Sequence, residues 1–152
     1  IAEALAYYRV PAQRMRFLAG VHHTTLIDDC YNASPLSLIS AIETVASIKA
    51  KRRVAVIGDM RELGEWSKQA HNEIGDLASK VFDVIIAVGP QSAVYVDWAI
   101  KRRIAKKNLV HALKVEEVLP VLRDYVKEGD IVLIKASHSI GLDKAVAALQ
   151  EV

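Results

Sequence analysis

Three polar segments of this 152-residue chain each follow an apolar run, and they carry most of the side chains that could do chemistry. The first, residues 28–32 with the sequence D-D-C-Y-N, sets two carboxylates beside an aromatic ring and an amide. A carboxylate such as Asp29 can accept hydrogen bonds from ribose hydroxyls, Tyr31 offers a stacking face, and Asn32 can both donate and accept. The segment favours a nucleotide site; the alternative is that Asp and Asn only shape the turn before a helix.

The second segment, residues 58–64, places Asp59, Arg61 and Glu62 between two glycines, which indicates a folded loop of special backbone geometry. Ser67 and His71 follow four residues apart, so they share one face of the next predicted helix. These residues could line a binding site. The alternative is a surface loop that links strand to helix, with a structural histidine after it.

The third segment, residues 135–139 with the sequence K-A-S-H-S, lies where the last apolar run meets the last predicted helix. Hydroxyl groups and free backbone N–H groups at a helix N-terminus suit an anionic group such as a phosphate or a carboxylate. Lys135 and His138 could add positive charge there. The alternative is that Ser137 or Ser139 only caps the helix.

The apolar runs that precede these segments alternate with helical patterns along the chain. The runs are continuously apolar, which is typical of parallel strands covered on both faces, and Ser34-Pro35 is a typical helix start. We therefore predict an α/β fold with a three-layer, Rossmann-like, doubly wound and mostly parallel sheet of five or six strands. The predicted strands are 25–27, 54–57, 84–88, 109–110 and 131–134, and the predicted helices are 34–49, 67–80, 92–104, 116–126 and 142–149.

Composition narrows the classes of protein that the chain can be. Lys and Arg number 20 against 18 for Asp and Glu, a net charge of +2 that gives no electrostatic case for a nucleic-acid partner. The longest apolar runs have about five residues where a membrane span needs ~20. A single cysteine, Cys30, cannot form an intrachain disulfide, which suits a cytoplasmic protein. Cys30 also has no obvious His partner for a nucleophilic role.

Two phosphate-binding patterns are absent from the 152 residues. The chain contains no G-x-x-x-x-G-K-[ST], and no G-x-G-x-x-G follows its first predicted strand. A doubly wound sheet that lacks both patterns cannot be assumed to bind a nucleotide by itself.

Taken together, the polar segments resemble the Mur ligase family. Residues 28–35 (D-D-C-Y-N-A-S-P), residues 58–65 (G-D-M-R-E-L-G-E), and Ser67 with His71 are similar to the patterns D-D-x-Y-N-A-N-P, G-D-M-x-E-L-G and S-x-x-x-H. Within the family these patterns are most similar to those of the ligases that add D-alanyl-D-alanine to UDP-N-acetylmuramoyl-tripeptide. Residues 135–139 resemble the family's K-G-S-R-S, with Ala136 in place of Gly and His138 in place of Arg. Ser34 replaces an Asn.

The resemblance implies a domain organisation and a reaction. Family members have an N-terminal domain that holds the UDP end of the substrate, a central ATPase-like domain with a P-loop, and a Rossmann-like C-terminal domain. Residues 21–152 resemble the C-terminal domain, and residues 1–20 resemble the end of the central domain and a hinge, mobile over 10–20. The implied activity is an ATP-dependent peptide ligase of peptidoglycan biosynthesis that needs Mg²⁺. The cofactor would be bound mainly by the central domain, so the chain alone is expected to be inactive.

The resemblance also implies roles for individual residues. Asp29 would bind the ATP ribose, and Tyr31 and Asn32 would border the nucleotide. No catalytic residue and no metal ligand is assigned. The residues expected on the substrate side, with UDP-N-acetylmuramoyl-tripeptide and D-alanyl-D-alanine as substrates, are Asp59, Met60, Glu62, Leu63, Ser67, His71, Ser137, His138 and Ser139.

Two alternative functions stay open at the level of the sequence. One is a sister amino-acid ligase of the cyanophycin-synthetase or folyl-polyglutamate type, although the G-D-M-x-E-L-G pattern favours the dipeptide ligase. His138 cannot bind a carboxylate as the bidentate fork that an Arg forms, so the acceptor stays open too. The other is a stand-alone flavodoxin- or receiver-like binding module. The residues that precede Ile1 in the gene would separate the second alternative from a ligase.

Overall fold

A six-stranded sheet organises residues 14–151, the part of the chain that the computed structural model describes. The strand order is β1-β2-β6-β3-β4-β5. β1 runs antiparallel to β2, and every other neighbouring pair is parallel. The predicted α/β class with a mostly parallel sheet is confirmed. The strands are β1 (Arg16–Gly20), β2 (Thr24–Asp28), β3 (Arg53–Gly58), β4 (Val84–Val88), β5 (Leu109–Ala112) and β6 (Ile131–Lys135).

Helices cover both faces of this sheet. Along β3, Ala55 and Ile57 pack into the core on one face, whereas Val54 and Val56 pack into the core on the other. This alternation is the pleat of a strand that is buried on both sides. The first core contains residues of α1 (Pro35–Ser47), α2 (Ser67–Val81) and α3 (Ala93–Lys101), and the second contains residues of α4 (Val115–Val118) and α5 (Asp143–Leu149).

The start of α1 follows the sequence prediction. The Ser34 hydroxyl accepts the backbone N–H of Ser37 at 3.3 Å, and the Ser37 hydroxyl accepts the backbone N–H of Ser34 at 2.9 Å. Pro35, which has no N–H, occupies the first turn. This reciprocal cap fixes where the first polar segment ends and the helix begins.

The insertion of β6 between β2 and β3 creates the place where a ligand can bind. The helices after β2 and β3 lie on one face of the sheet, and α5, which follows β6, lies on the other. Neighbouring strands whose connections leave toward opposite faces open a crevice at their carboxyl ends. The three polar segments follow β2, β3 and β6, so the topology brings all three to this crevice.

Residues 16–20 form a strand rather than the expected linker. Arg16–Gly20 is a strand of the sheet, with Arg16 opposite Asp28 and Gly20 opposite Thr24. Exposure alternates along this strand at the edge of the sheet, where Phe17 and Ala19 are exposed, and its apolar run covers only residues 17–19. The expectations for residues 1–13, a helix over 1–9 among them, lie outside the described residues.

The predicted helix over 116–126 is wrong in its extent. α4 ends at Val118, and a separate 3₁₀ turn follows at Leu122–Tyr125. Pro120 stands between them and has no N–H to donate to a continuing helix. The other predicted helices agree with the structure to within a few residues at each end. Within residues 14–151, no helix has the length and apolarity that crossing a membrane requires.

Candidate functional site

A buried ion pair links the end of β6 to the first polar segment. The Lys135 ammonium lies 2.7 Å from Oδ2 of Asp29, and Lys135 is only 2% exposed. The same ammonium donates to the backbone carbonyl of Asn32 at 2.8 Å. The other carboxylate oxygen of Asp29 accepts the backbone N–H of Met15 at 3.1 Å. The orientation of the Asp29 carboxylate is therefore set from two sides.

An open cavity of about 330 Å³ lies above this ion pair. Tyr31 and Asn32, both exposed, line it together with Asp29 and Lys135. The guanidinium of Arg14 lies 4.6 Å from the centre of the Tyr31 ring, a cation–π contact. The three residues predicted to bind a nucleotide therefore border one cavity of the size that small ligands occupy.

Cys30 and Asp28 point into the protein next to this cavity. The Cys30 thiol donates to Oδ1 of Asp28 at 3.0 Å, and both side chains are buried. Burial and the neighbouring Asp28 carboxylate raise the pKa of the Cys30 thiol far above its ordinary value. Because the thiolate is the reactive form, this geometry opposes a nucleophilic role for Cys30.

Asp59, in the second segment, is fully buried and caps a helix. Its carboxylate accepts the backbone N–H of Ser92 at 2.8 Å and that of Gln91 at 3.2 Å, just before α3. The carboxylate also fills the space beside Gly89, where an added Cβ would clash with Oδ1 of Asp59. Both oxygens of the Asp59 carboxylate therefore accept hydrogen bonds from the protein itself.

His71, on α2, is buried beneath the same segment. Its Nε2 lies 3.0 Å from the backbone nitrogen of Met60, and its Nδ1 lies 2.7 Å from the carbonyl oxygen of Ser67. The ring stacks on that of Tyr95, with centres 5.8 Å apart. Met60 is buried as well, so both side chains face the interior rather than the crevice.

The third segment is joined to the second through Ser137. The Ser137 hydroxyl accepts the backbone N–H of Arg61 at 2.8 Å, and the Ser137 backbone N–H donates to the Asp59 carbonyl at 3.0 Å. Gly58 makes this close approach possible, since a Cβ there would lie 2.9 Å from the Cβ of Ala136. These bonds join the two loops directly at the carboxyl edge of the sheet.

The predicted substrate-side residues thus divide into two groups. Asp59, Met60, His71 and Ser137 are buried and bonded within the protein, so they can act on a substrate only through other residues. Direct contact with a substrate stays a prediction for the accessible members. These are Glu62, Leu63, Ser67, His138 and Ser139.

His138 lies in the third polar segment, close to the cavity beside Tyr31. Its exposed ring lies 6.3 Å from the ring of Tyr31, measured between centres. Glu62 takes a left-handed backbone conformation, with φ at 63°, which is uncommon for a residue with a side chain. The accessible polar groups of the second and third segments therefore lie along a rim that reaches the cavity beside Tyr31.

Sequence reasoning missed Arg14 and Met15 as parts of this site, and it treated Lys135 as a free cation. The signal for Lys135 was present, because a lysine at the end of an apolar strand needs a buried partner. No local pattern marks Arg14 or Met15, whose contacts depend on β1 pairing with β2. Within residues 14–151, no group of three or more His, Cys, Asp or Glu side chains is placed to hold a metal ion.

Known proteins resemble this chain in sequence and in structure. A family model described as "Mur ligase, glutamate ligase domain" matches residues 13–138. The UDP-N-acetylmuramoyl-tripeptide–D-alanyl-D-alanine ligase of Bacillus subtilis is 29% identical over 99% of this chain and 33% of its own length. The ligase of the same name from Mycobacterium leprae is 35% identical over 88% of this chain and 29% of its own length. The chain thus spans about a third of the length of the curated relatives it matches.

Solved structures with the same arrangement carry related names. A MurF ligase from Thermotoga maritima, crystallised in complex with ADP, has a TM-score of 0.74 and 28% identity over 95% of this chain and 32% of its own. MurF from Acinetobacter baumannii has a TM-score of 0.78 and 27% identity over the same shares of the two chains.

Proposed function

The chain belongs to the Mur ligase family, through the family's glutamate ligase domain, and from this premise we propose that it serves an ATP-dependent ligase that adds D-alanyl-D-alanine to UDP-N-acetylmuramoyl-tripeptide. The observation that carries the proposal is the similarity of most of the chain to relatives that bear this name, 29% and 35% identical over 99% and 88% of it, in a fold that brings its three polar segments together. The family match over 13–138 argues against a stand-alone flavodoxin-like module.

The residues at the cavity fit a nucleoside. Tyr31 presents an exposed ring against which a base can stack. The Asp29 carboxylate accepts one donor on each oxygen, and a carboxylate offers about four lone-pair positions, so capacity for ribose hydroxyls remains. The ADP complex of the Thermotoga maritima relative supports ATP as the nucleotide. When bound, ATP supplies the phosphoryl group that activates the carboxylate to be joined.

The residues of this chain would bind and orient rather than transfer protons. Lys135 holds the Asp29 carboxylate toward the cavity, and Ser137 holds the loop that carries Glu62. On the rim, His138 and Ser139 are the accessible donors that could meet the carboxylate of the acceptor dipeptide. No residue within the described part is assigned as a general base.

Phosphate binding is assigned to another part of the complete enzyme. The 152 residues contain no G-x-x-x-x-G-K-[ST], and the relatives are about three times as long. We therefore place the P-loop, the Mg²⁺ ligands and the UDP site in N-terminal and central domains of the kind the family has. The 152-residue chain alone would then show no ATP turnover.

The test uses the product of the complete gene that encodes this chain. Phosphate release is measured with UDP-N-acetylmuramoyl-tripeptide and D-alanyl-D-alanine, with each omitted in turn, and with D-glutamate or single amino acids replacing the dipeptide. We expect release only with both substrates and with the dipeptide. Release that follows a single amino acid would assign the chain to a sister ligase. ATP turnover by the 152 residues alone would refute the assignment of phosphate binding to other domains.

A further inference from the structure

Three successive backbone N–H groups in the second polar segment donate to three different parts of the fold. The N–H of Asp59 bonds to the Val88 carbonyl at the end of β4, at 3.1 Å. The N–H of Arg61 bonds to the Ser137 hydroxyl after β6, at 2.8 Å. Between them, the N–H of Met60 bonds to Nε2 of His71 on α2, at 3.0 Å. The loop is therefore tied to β4, α2 and the β6 loop at consecutive residues.

The His71 contacts determine the protonation state of its ring. A backbone N–H can only donate, so Nε2 must offer its lone pair to Met60. A carbonyl oxygen can only accept, so Nδ1 must carry the proton that bonds to Ser67. The ring is thus neutral and in the Nδ1–H form. Both nitrogens are engaged, the residue is 1% exposed, and Tyr95 covers one face.

We propose that His71 is a positioning residue: through the lone pair of Nε2 it holds the Asp59–Arg61 backbone, and so aims Arg61 and the left-handed Glu62 at the crevice. This inference rests on the proposed function in one respect, that the acceptor dipeptide binds on this rim. The geometry of the loop itself does not depend on the identity of the substrate. His71 contacts no substrate in this arrangement.

Two variants test the roles of the two ring nitrogens of His71 separately. The amide oxygen of Gln in His71→Gln reaches about as far as Nε2 and can accept from Met60, whereas the shorter amide of Asn in His71→Asn reaches as far as Nδ1 and can donate only to Ser67. In the complete enzyme, we expect His71→Asn to raise KM for D-alanyl-D-alanine roughly tenfold, the size of effect that loss of one buried hydrogen bond produces. His71→Gln should stay within about twofold of the parent, and KM for ATP should change little in either variant.

The outcomes decide between positioning and mere packing. If His71→Gln and His71→Asn raise KM for the dipeptide equally, or if KM for ATP rises as much, the ring only fills space and the proposal is overturned. Rescue by Gln alone supports it.

A second measurement needs no variant. In the 152-residue chain labelled with ¹⁵N, the imidazole shifts at neutral pH should show an unprotonated Nε2 and a protonated Nδ1 on His71, and the Met60 amide should exchange slowly with solvent. The opposite tautomer or a rapidly exchanging Met60 amide would overturn the proposal. If these signals are as expected but the complete enzyme joins another acceptor, the proposed function fails while the positioning role stands.

Discussion

The ammonium of Lys135, at the end of β6, and the carboxylate of Asp29, just after β2, form a buried ion pair 2.7 Å apart between residues 106 positions apart in the chain. The pair fixes the first polar segment relative to the third. It also leaves Lys135 without a free donor for a ligand, because its other bonds go to the carbonyls of Asn32 and Asp29. Lys135, whose position in the sequence suggested an anion-binding role, instead stabilises the site from within the protein.

We expect Lys135→Met to destabilise the chain by about 3–5 kcal/mol, because the substitution leaves the carboxylate of Asp29 buried without its partner. The measurement is the free energy of unfolding in urea at neutral pH. The matched control is Lys144→Met, which removes a cation from the exposed pair with Glu116 and should leave the stability nearly unchanged. Equal effects of the two substitutions would contradict this account of the buried pair.

Asp59→Ala should cost about 1–2 kcal/mol of stability, because the backbone N–H groups of Gln91 and Ser92 lose the acceptor that caps α3. Urea unfolding measures the change. Asp97→Ala, on the exposed side of the same helix, should shift the stability by less than about 0.5 kcal/mol. A fall in ligase activity with no loss of stability would instead favour direct contact between Asp59 and a substrate.

Tyr31→Ala in the complete enzyme should raise KM for ATP roughly tenfold, since stacking of a base on an aromatic ring contributes about 1–3 kcal/mol. The folded state should be little affected, because the ring is 47% exposed. Phe17→Ala is the control: this aromatic ring is also exposed, but it lies on β1 away from the cavity. An unchanged KM for ATP in Tyr31→Ala would place the base elsewhere.

Cys30 makes the stability depend on pH in the alkaline range. Burial raises its pKa above the ordinary value of 9.0, so the native state keeps the thiol protonated while the unfolded chain ionises. The unfolded state then binds fewer protons, and the free energy of unfolding should fall as the pH rises above about 9. Urea unfolding at pH 8 and pH 10 measures the loss, which should be smaller in Cys30→Ala. An identical loss in that variant would contradict the prediction.

In the folded chain, Cys30 should also resist thiol reagents.

Local sequence patterns predicted the strands that are buried on both faces of the sheet. β2, β3, β4 and β6 have core contacts on both faces, and their continuous apolar runs showed it. β1 was not predicted: its apolar run covers only residues 17–19, and alternate residues of the strand are exposed. The predicted helix over 116–126 ran through Pro120, where the structure has α4 end at Val118 and a separate 3₁₀ turn follow.

Residue types and the order of elements determined which segments would meet. Parallel strands present their carboxyl ends at one edge, so segments after β2, β3 and β6 had to converge there once β6 lay between the other two. The residue types also indicated a nucleotide and an anion as ligands. The agreement with a known family rested on these same segments.

Only the tertiary structure decided which of the polar side chains face a ligand. By residue type alone, Glu62 and His138 are no better suited to bind a ligand than four other polar residues of these segments: Asp59, His71, Lys135 and Ser137. Their hydrogen-bonding capacity is taken up by partners from other elements, such as Ser92, Met60, Arg61 and Asp29. A buried polar group must find such a partner to offset its desolvation. That partner is chosen by packing in three dimensions, which no local pattern records.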